Sequence, residues 1–321
     1  MKYRITHSTV YQYSQLVGLC QNEARLQPRN FWRQQCHSCR FDISPEPSDF
    51  NERFDFFGNR VTYFAVQQAH QRLVVTATSD VTVFPRKSSD DLANKLSWEH
   101  VRDQLQAAPG KIQQQSQSQQ QSFFGSTQEQ SQHQPQYLND ELLDTKLYLL
   151  DSPMVISGPE LADYAQSSFK PGRPLVQAVA DLMQRIYQDF TYDPSFTTIA
   201  TPLSDVMHFR RGVCQDFAHL AIGCLRAMGL AARYVSGYVE TQPEPGTQRL
   251  IGADASHAWF AVYVPGSGWL EFDPTNNKLP FDQHITLAWG RDYTDVTPLK
   301  GIAFGGGPHT LSVSVDVLRL E

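Results

Sequence analysis

The stretch Arg211-Gly212-Val213-Cys214-Gln215-Asp216-Phe217-Ala218-His219-Leu220-Ala221 decides how this chain is read. Gly212 suits a sharp turn. Beyond it Phe217, Ala221, Leu225 and Met228 recur at helical spacing and share a face. Gly229 stands where a helix C-cap glycine belongs. The pattern predicts a loop running into a helix that begins at or near Cys214. At a helix N-terminus the unpaired amides and the positive end of the dipole favour a thiolate over a thiol, which is one way to build a nucleophile. A cysteine taken alone is more often a small buried apolar residue. The rest of the chain has to supply what a nucleophile needs.

Upstream, Thr201-Pro202 reads as an N-cap followed by proline at the first helical position, opening a short helix that ends near His208. Leu175, Val179, Leu182, Ile186 and Phe190 form one apolar stripe, which predicts an amphipathic helix over 174–190. Ser157-Gly158-Pro159-Glu160 has the form of a capping box with Ser157 as N-cap. Downstream the pattern switches to strands. Residues 233–239 are rich in β-formers, and residues 240–250, with two prolines, read as a loop. Ala258–Val264 and Trp269–Asp273 are strands flanking Pro265-Gly266-Ser267-Gly268, a hairpin connection. Leu311, Val313, Val315 and Val317 alternate as a closing strand. Helices followed by strands predict an α+β catalytic domain over 141–321.

The N-terminal part has a different period. Tyr3 and Ile5 alternate with polar neighbours, Val61, Tyr63 and Ala65 follow a Gly58-Asn59 turn, and Leu73, Val75, Ala77, Val81 and Val83 continue the period-2 pattern. An antiparallel β domain is expected over 1–95. Residues 96–140 begin with a short helix, spaced by Trp98, Val101 and Leu105, and run into a Gln/Ser-rich tract over 113–136. That tract has too little apolar surface to order itself and is expected as a disordered insertion, with a protein-interaction tether as the second reading.

Composition bounds the function. The chain has 321 residues, with 40% hydrophobic and 19% charged content, as in a globular enzyme. A net charge of −6 without a basic run argues against nucleic acid as the main partner. No apolar stretch is long enough to cross a bilayer, and the first residues lack the apolar core of a signal peptide, so the cytoplasm is the expected location and no membrane partner is expected. Five scattered cysteines are too few for a disulfide scaffold. Cys36-His37-Ser38-Cys39 has the spacing of a metal or redox half-site, but no second half completes it, and Cys39, Phe41 and Ile43 alternate as in a strand. Acidic residues do not cluster at calcium-loop spacing, and neither a metal nor a cofactor is expected.

Cysteine catalysis needs a base to take the thiol proton and a third group to orient that base. His257 opens the first strand of the late hairpin and Asp273 ends the second. A plain four-residue connection would pair Val264 with Trp269 and set His257 and Asp273 on opposite faces. A register shift of one residue, or a bulge, is therefore expected. His219 and His208 are rival bases with poorer placement, and Cys224 lies about three turns along the Cys214 helix, too far for a disulfide.

These residues carry a resemblance. Gly212-Val213-Cys214-Gln215-Asp216-Phe217, Asp254-Ala255-Ser256-His257-Ala258-Trp259 and Gly268-Trp269-Leu270-Glu271-Phe272-Asp273-Pro274-Thr275-Asn276 resemble, in the same order, the motifs of the bacterial transglutaminase-like proteins, a branch of the papain-like thiol enzymes. Arg233–Tyr238, the stretch 290–296 and the N-terminal region with Asp55-Phe56-Phe57-Gly58-Asn59 extend the likeness over nearly the whole chain apart from the Gln-rich tract. The resemblance implies an N-terminal β domain followed by a papain-like core of helices packed on an antiparallel sheet. It also implies Cys214 as nucleophile, His257 as base and then acid, and Asp273 as the residue orienting His257. The implied chemistry is acyl transfer through a thioester, with a peptide or protein as substrate. A hydrolase of peptide or isopeptide amides is the favoured reading, because water is always present. An amine-accepting transglutaminase is the alternative. A non-catalytic scaffold that binds partners through its β domain and Gln-rich tract is the third.

Overall fold

The computed structural model describes residues 1–85, 94–107, 143–198, 201–240 and 256–320. The Gln-rich tract, the 240–250 loop beyond Glu240 and Asp254 lie outside these residues. The fold is α+β, and the chain divides into two compact units. One comprises Met1–Lys87, Tyr234–Trp259 and Leu279–Glu321, the other Ser88–Arg233 and Phe260–Lys278.

The first unit is built on β1 (Lys2–Ala24), which is long enough to serve two strands along each of its edges. Its burial alternates, with Tyr3, Ile5, His7 and Thr9 turned inward. Along one edge run β5 (His70–Val83), paired from Lys2↔Thr82 to Gln12↔Arg72, and β4 (Arg60–Val66), paired over Cys20–Ala24. β2 (Gln34–Ser44) continues outside β5, and β3 (Asp49–Phe54) outside β4. The β3–β4 connection follows the predicted turn: Asp55 Oδ1 accepts the Phe57 and Asn59 amides at 3.0 and 2.9 Å, and Gly58 takes φ +70°. Along the other edge lie β12 (Leu299–Gly305) and β13 (His309–Arg319), paired respectively with Val17–Ala24 and Tyr3–Tyr13. A strictly sequential division carries a single domain from 141 to 321. The structure instead groups Leu279–Glu321 with the first unit, because β12 and β13 complete the β1 sheet.

Tyr13, Val17, Cys20, Ala24, Leu26, Phe64, Leu73 and Val75 form a buried cluster against this sheet. Two further strands of the unit, β8 (Ala232–Val239) and β11 (His284–Gly290), pair with each other. They are clamped to the N-terminal residues by side-chain amides. Gln34 Nε2 donates to the Thr286 carbonyl and Gln34 Oε1 accepts the Thr286 amide, both at 2.7 Å. Asn59 makes the same pair of bonds with the Trp289 backbone, both at 3.0 Å. Satisfying buried main-chain groups in this way costs the fold no orphaned donors. The CxxC segment is part of β2, where burial pushes the Cys36 thiol up to about 11 and raises that of Cys39. A short helix, α6 (Tyr293–Val296), is capped by Asp292, which accepts the Thr294 amide at 2.8 Å.

The second unit holds the long helices α1 (Trp98–Gln106), α2 (Pro159–Gln166), α3 (Leu175–Asp189), α4 (Leu203–Phe209) and α5 (Cys214–Ala227). α3 buries the predicted stripe. α5 is buried on all sides from Asp216 to Arg226, so it is the central helix of its unit. Two capping expectations are corrected. Ser157 is not an N-cap: Gly158 is, and Ser157 is drawn away by Asp151, which accepts its hydroxyl at 2.6 Å and its amide at 2.9 Å. At α4 the N-cap is Pro202, and Thr201 Oγ1 instead accepts the Thr198 amide at 2.8 Å.

Candidate active site

Cys214 is the first residue of α5 and is half-buried. Its position is set by the turn before it. Arg210 ends α4 in the left-handed region, at φ 55°, with its guanidinium over the Phe190 and Tyr164 rings at 4.7 and 5.0 Å. Arg211 and Gly212 then form a short strand, β7, parallel to β6 (Thr191–Tyr192). The Thr191 amide donates to the Arg210 carbonyl at 2.8 Å and the Asp193 amide to the Gly212 carbonyl at 2.9 Å. Asp216 reaches back to accept the Val213 amide at 2.8 Å, which is the return half of a capping box. Burial raises the carboxyl of Asp216 above the usual carboxylate range.

Gly229 takes φ +76° just past the end of α5, as its position predicted. His219 is buried within α5, and Cys224 is fully buried, its thiol pushed up by burial to about 12. His208 sits in the last turn of α4 against Phe209, with ring centroids 4.7 Å apart. Tyr192 was not singled out by any sequence pattern. It neighbours Cys214, whose charge adds to burial in raising the Tyr192 phenol. Only the β6–β7 pairing brings it there, and two strands of two residues leave no periodic signal.

The late hairpin consists of β9 (Ser256–Val264) and β10 (Gly268–Phe272). Val264 pairs with Gly268, not with Trp269, so the connection is three residues long and the register is shifted by one from the plain four-residue form. The ladder then runs without a bulge to Phe260↔Phe272. Gly266 and Gly268 both have positive φ, 79° and 73°, which lets so short a connection close. In this register odd-numbered residues pair with odd-numbered residues and share a face. His257 and Trp259 are odd positions of β9, Trp269 and Glu271 are odd positions of β10, and Asp273 is the next one.

His257 is half-buried, in the company of the Trp259 ring at 6.0 Å and the His284 ring at 6.1 Å. Trp259 is completely buried and meets His284 edge-on at 5.1 Å. Gly237 makes room for it: a Cβ there would lie 2.6 Å from Trp259 Cη2. His284 was not foreseen, because a single histidine at the start of a strand carries no pattern. Asp273 is completely buried. Its amide donates to the Lys278 carbonyl at 2.9 Å and its carbonyl accepts the Lys278 amide at 3.1 Å. Its Oδ1 accepts the Thr275 and Asn276 amides at 3.0 and 3.2 Å, and Oδ2 accepts Asn276 Nδ2 at 2.7 Å. Asp273 is thus held as the head of an Asx turn, and Asn276 fixes the carboxylate plane. The two units divide the predicted residues, with His257 in the first and Cys214 and Asp273 in the second.

The sequence matches the bacterial transglutaminase-like N-terminal region over residues 3–82 and the transglutaminase-like superfamily over residues 162–274. An uncharacterised protein of Mycobacterium tuberculosis is 39% identical over 331 residues, covering 100% of this chain and 93% of the relative. A protein-glutamine gamma-glutamyltransferase of Pseudomonas aeruginosa is 28% identical over 187 residues, 54% of this chain but 27% of that protein. Among solved structures, a "putative cysteine protease" from Cytophaga hutchinsonii superposes with a TM-score of 0.67, covering 100% of this chain and 92% of the other. At 20% identity that likeness is one of fold.

Proposed function

The chain belongs to the transglutaminase-like superfamily, with the bacterial family's N-terminal region, and on that premise we propose that it is a cysteine hydrolase of peptide or isopeptide amides. The roles are Cys214 as nucleophile, His257 as base and acid, and Asp273 as the orienting carboxylate. The observation that carries this reading is the position of Cys214 as the first residue of the buried α5 helix, within a superfamily match over 162–274 that spans all three residues. The hairpin register supports it, because odd-numbered residues pair with odd-numbered ones over 260–272, the parity that His257 and Asp273 share.

In this mechanism the Cys214 sulfur attacks the amide carbonyl and its proton passes to His257. The tetrahedral oxyanion takes a hydrogen bond from the Cys214 backbone N–H, one of the unpaired donors of a helix start. Collapse breaks the C–N bond. His257 returns the proton to the departing amine or ammonia, leaving a thioester on Cys214. Water, deprotonated by His257, then attacks the thioester and releases the acid. Asp273 holds the imidazole in the tautomer this requires.

Transfer to an amine is the second reading, favoured by the Pseudomonas aeruginosa relative that carries a glutamyltransferase name. One experiment separates the two: incubation with a peptide library, with and without a primary amine, read by mass spectrometry. Cleavage or a deamidation shift supports hydrolysis, and a mass gain equal to the amine minus ammonia supports transfer. No change in either arm, together with Cys214 labelling by iodoacetamide no faster than at Cys36, would favour a non-catalytic scaffold and sink the proposal.

A further inference from the structure

Cys36-His37-Ser38-Cys39 takes no part in the proposed catalysis, and β2 gives it a form that its spacing does not foretell. In a regular strand, residues three apart point to opposite faces. β2 is not regular here. Cys36 pairs with Val81 and Ser38 with Asp80, so His37 is an extra residue, a bulge. Cys39 then pairs with Ser79, and the two cysteines stand opposite buried residues two apart on β5. Both are half-buried, while His37 and Ser38 between them are exposed. The bulge thus returns both thiols to one face.

The sulfurs are also aimed. Cys36 Sγ donates to the Ser38 carbonyl at 3.3 Å, so it leans along β2 toward Cys39. The Cys36 amide donates to Asn30 Oδ1 at 2.7 Å, and the Ser79 hydroxyl donates to the Cys39 sulfur. Burial, and after it the charge of Cys39, raises the Cys36 thiol. Arg60 acts on both thiols in the opposite sense, against Asp80 at Cys36 and Glu52 at Cys39. Distance decides what the pair can hold. Same-face neighbours on a strand are about 6.6 Å apart, twice the rise per residue. A disulfide needs its Cβ atoms about 3.8 Å apart, so the strand keeps these thiols from joining directly. On the scale of a zinc–thiolate bond, about 2.3 Å, two bonds in line set the sulfurs about 4.6 Å apart. That span fits two sulfurs leaning inward from their Cβ atoms. Among the described residues no third histidine, cysteine or carboxylate completes a cluster with them, so a four-ligand zinc site is not formed.

We propose that Cys36 and Cys39 form a two-coordinate site for a soft monovalent cation, of which copper(I) is the biological representative, with the two sulfurs bound in line. Thiolates select soft ions, and an ion of linear preference needs no second half-site. Binding forms two metal–sulfur bonds and releases both thiol protons to solvent, with no change of oxidation state. Both thiols are partly exposed, which gives the ion a path in. The proposal does not depend on the catalytic reading, because every residue it uses lies in the first unit.

The test uses the full chain carrying Cys214→Ser, which removes the other half-buried thiol and leaves Cys20 and Cys224 buried. The probe is copper(I) held by the chromophoric chelator bathocuproine disulfonate, without oxygen. The chain should withdraw a single ion, and X-ray absorption should show sulfur neighbours without nitrogen. Cys36→Ser or Cys39→Ser should each weaken uptake by more than the about 10–100-fold that losing an outer-shell partner costs. Cys39→Ser combined with Ser38→Cys keeps two thiols but turns one to the exposed face, and should weaken uptake as much. Deletion of His37 makes the strand regular with both cysteines still on one face, and should retain uptake. Uptake indifferent to both serine substitutions, or no uptake at all, overturns the proposal. So does retention of full uptake in the Ser38→Cys combination. Loss of both thiol hydrogens to glutathione disulfide, with a Cys36–Cys39 disulfide as product, also overturns it, because the thiols would then stand closer than a strand allows.

Discussion

Asp216 Oδ2 accepts the Val213 amide at 2.8 Å, and the same side chain occupies the space beside Gly212 where a Cβ would fall 2.9 Å from its Cβ and Oδ2. The residue before the nucleophile's turn and the residue that caps the nucleophile's helix are therefore packed against each other with no room to spare. Gly212→Ala should displace Asp216, release the Val213 amide and shift Cys214. The expected cost is about 1–3 kcal/mol of stability, measured by urea unfolding. Iodoacetamide labelling of Cys214 should slow in parallel. Wild-type labelling in a destabilised variant would show that the turn does not position the sulfur.

Asn276 fixes Asp273 through a 2.7 Å bond to Oδ2. Asn276→Ala leaves the two backbone amides on Oδ1 and removes the side-chain restraint on the carboxylate plane. On the proposed mechanism kcat should fall about tenfold with KM nearly constant, since a positioning group acts on the transition state. The readout is steady-state kinetics on any peptide that the library screen identifies. A rise in KM alone would mean that Asn276 contacts substrate.

His7 is buried in the first unit, bonded to the Tyr238 hydroxyl at 2.9 Å and to Thr9 Oγ1 at 3.0 Å. Burial holds its imidazole down, to about 4. In the unfolded chain the group takes its proton near 6.5, so between those values the unfolded state binds more protons than the folded one. Stability is then fully present above about pH 6.5 and is lost as pH falls toward 4, by an amount on the order of 3 kcal/mol. His7→Gln removes the titration, and its melting temperature should vary less over that range than the wild type's. Equal slopes would refute a neutral His7.

Gly237 meets the Ile285 carbonyl and the Trp259 ring so closely that a Cβ would stand 2.1 and 2.6 Å from them. The carbonyl is backbone and cannot rotate away. Gly237→Ala should cost about 3 kcal/mol. Because Trp259 neighbours His257, activity should fall more than the folded fraction does. Comparison of circular-dichroism melts with activity at low temperature checks this. Loss of stability with unchanged specific activity would separate the packing from the site.

The parts legible in the sequence are those governed by local periodicity. The apolar stripe of α3, the start of α5 at Cys214 and its end before Gly229 each follow from residues within a few turns of one another. The alternation of β1 and β5 is equally local. Less legible were the caps at Ser157 and Thr201. In both cases a competing partner nearby, Asp151 or Thr198, takes the hydroxyl that the motif assigned to the helix.

By itself the sequence determined the α+β class, the helix that bears Cys214, and the hairpin bearing His257 and Asp273. Only the tertiary structure decided the length of the hairpin connection, since Pro265-Gly266-Ser267-Gly268 is compatible with either register and the choice rests on positive φ at both glycines. Only the structure sent β12 and β13 back to β1, and only β6–β7 pairing set Tyr192 beside Cys214. The reason is common to all three. Main-chain pairing between distant segments is written in backbone geometry and shared burial, and no single stretch of side chains records its partner.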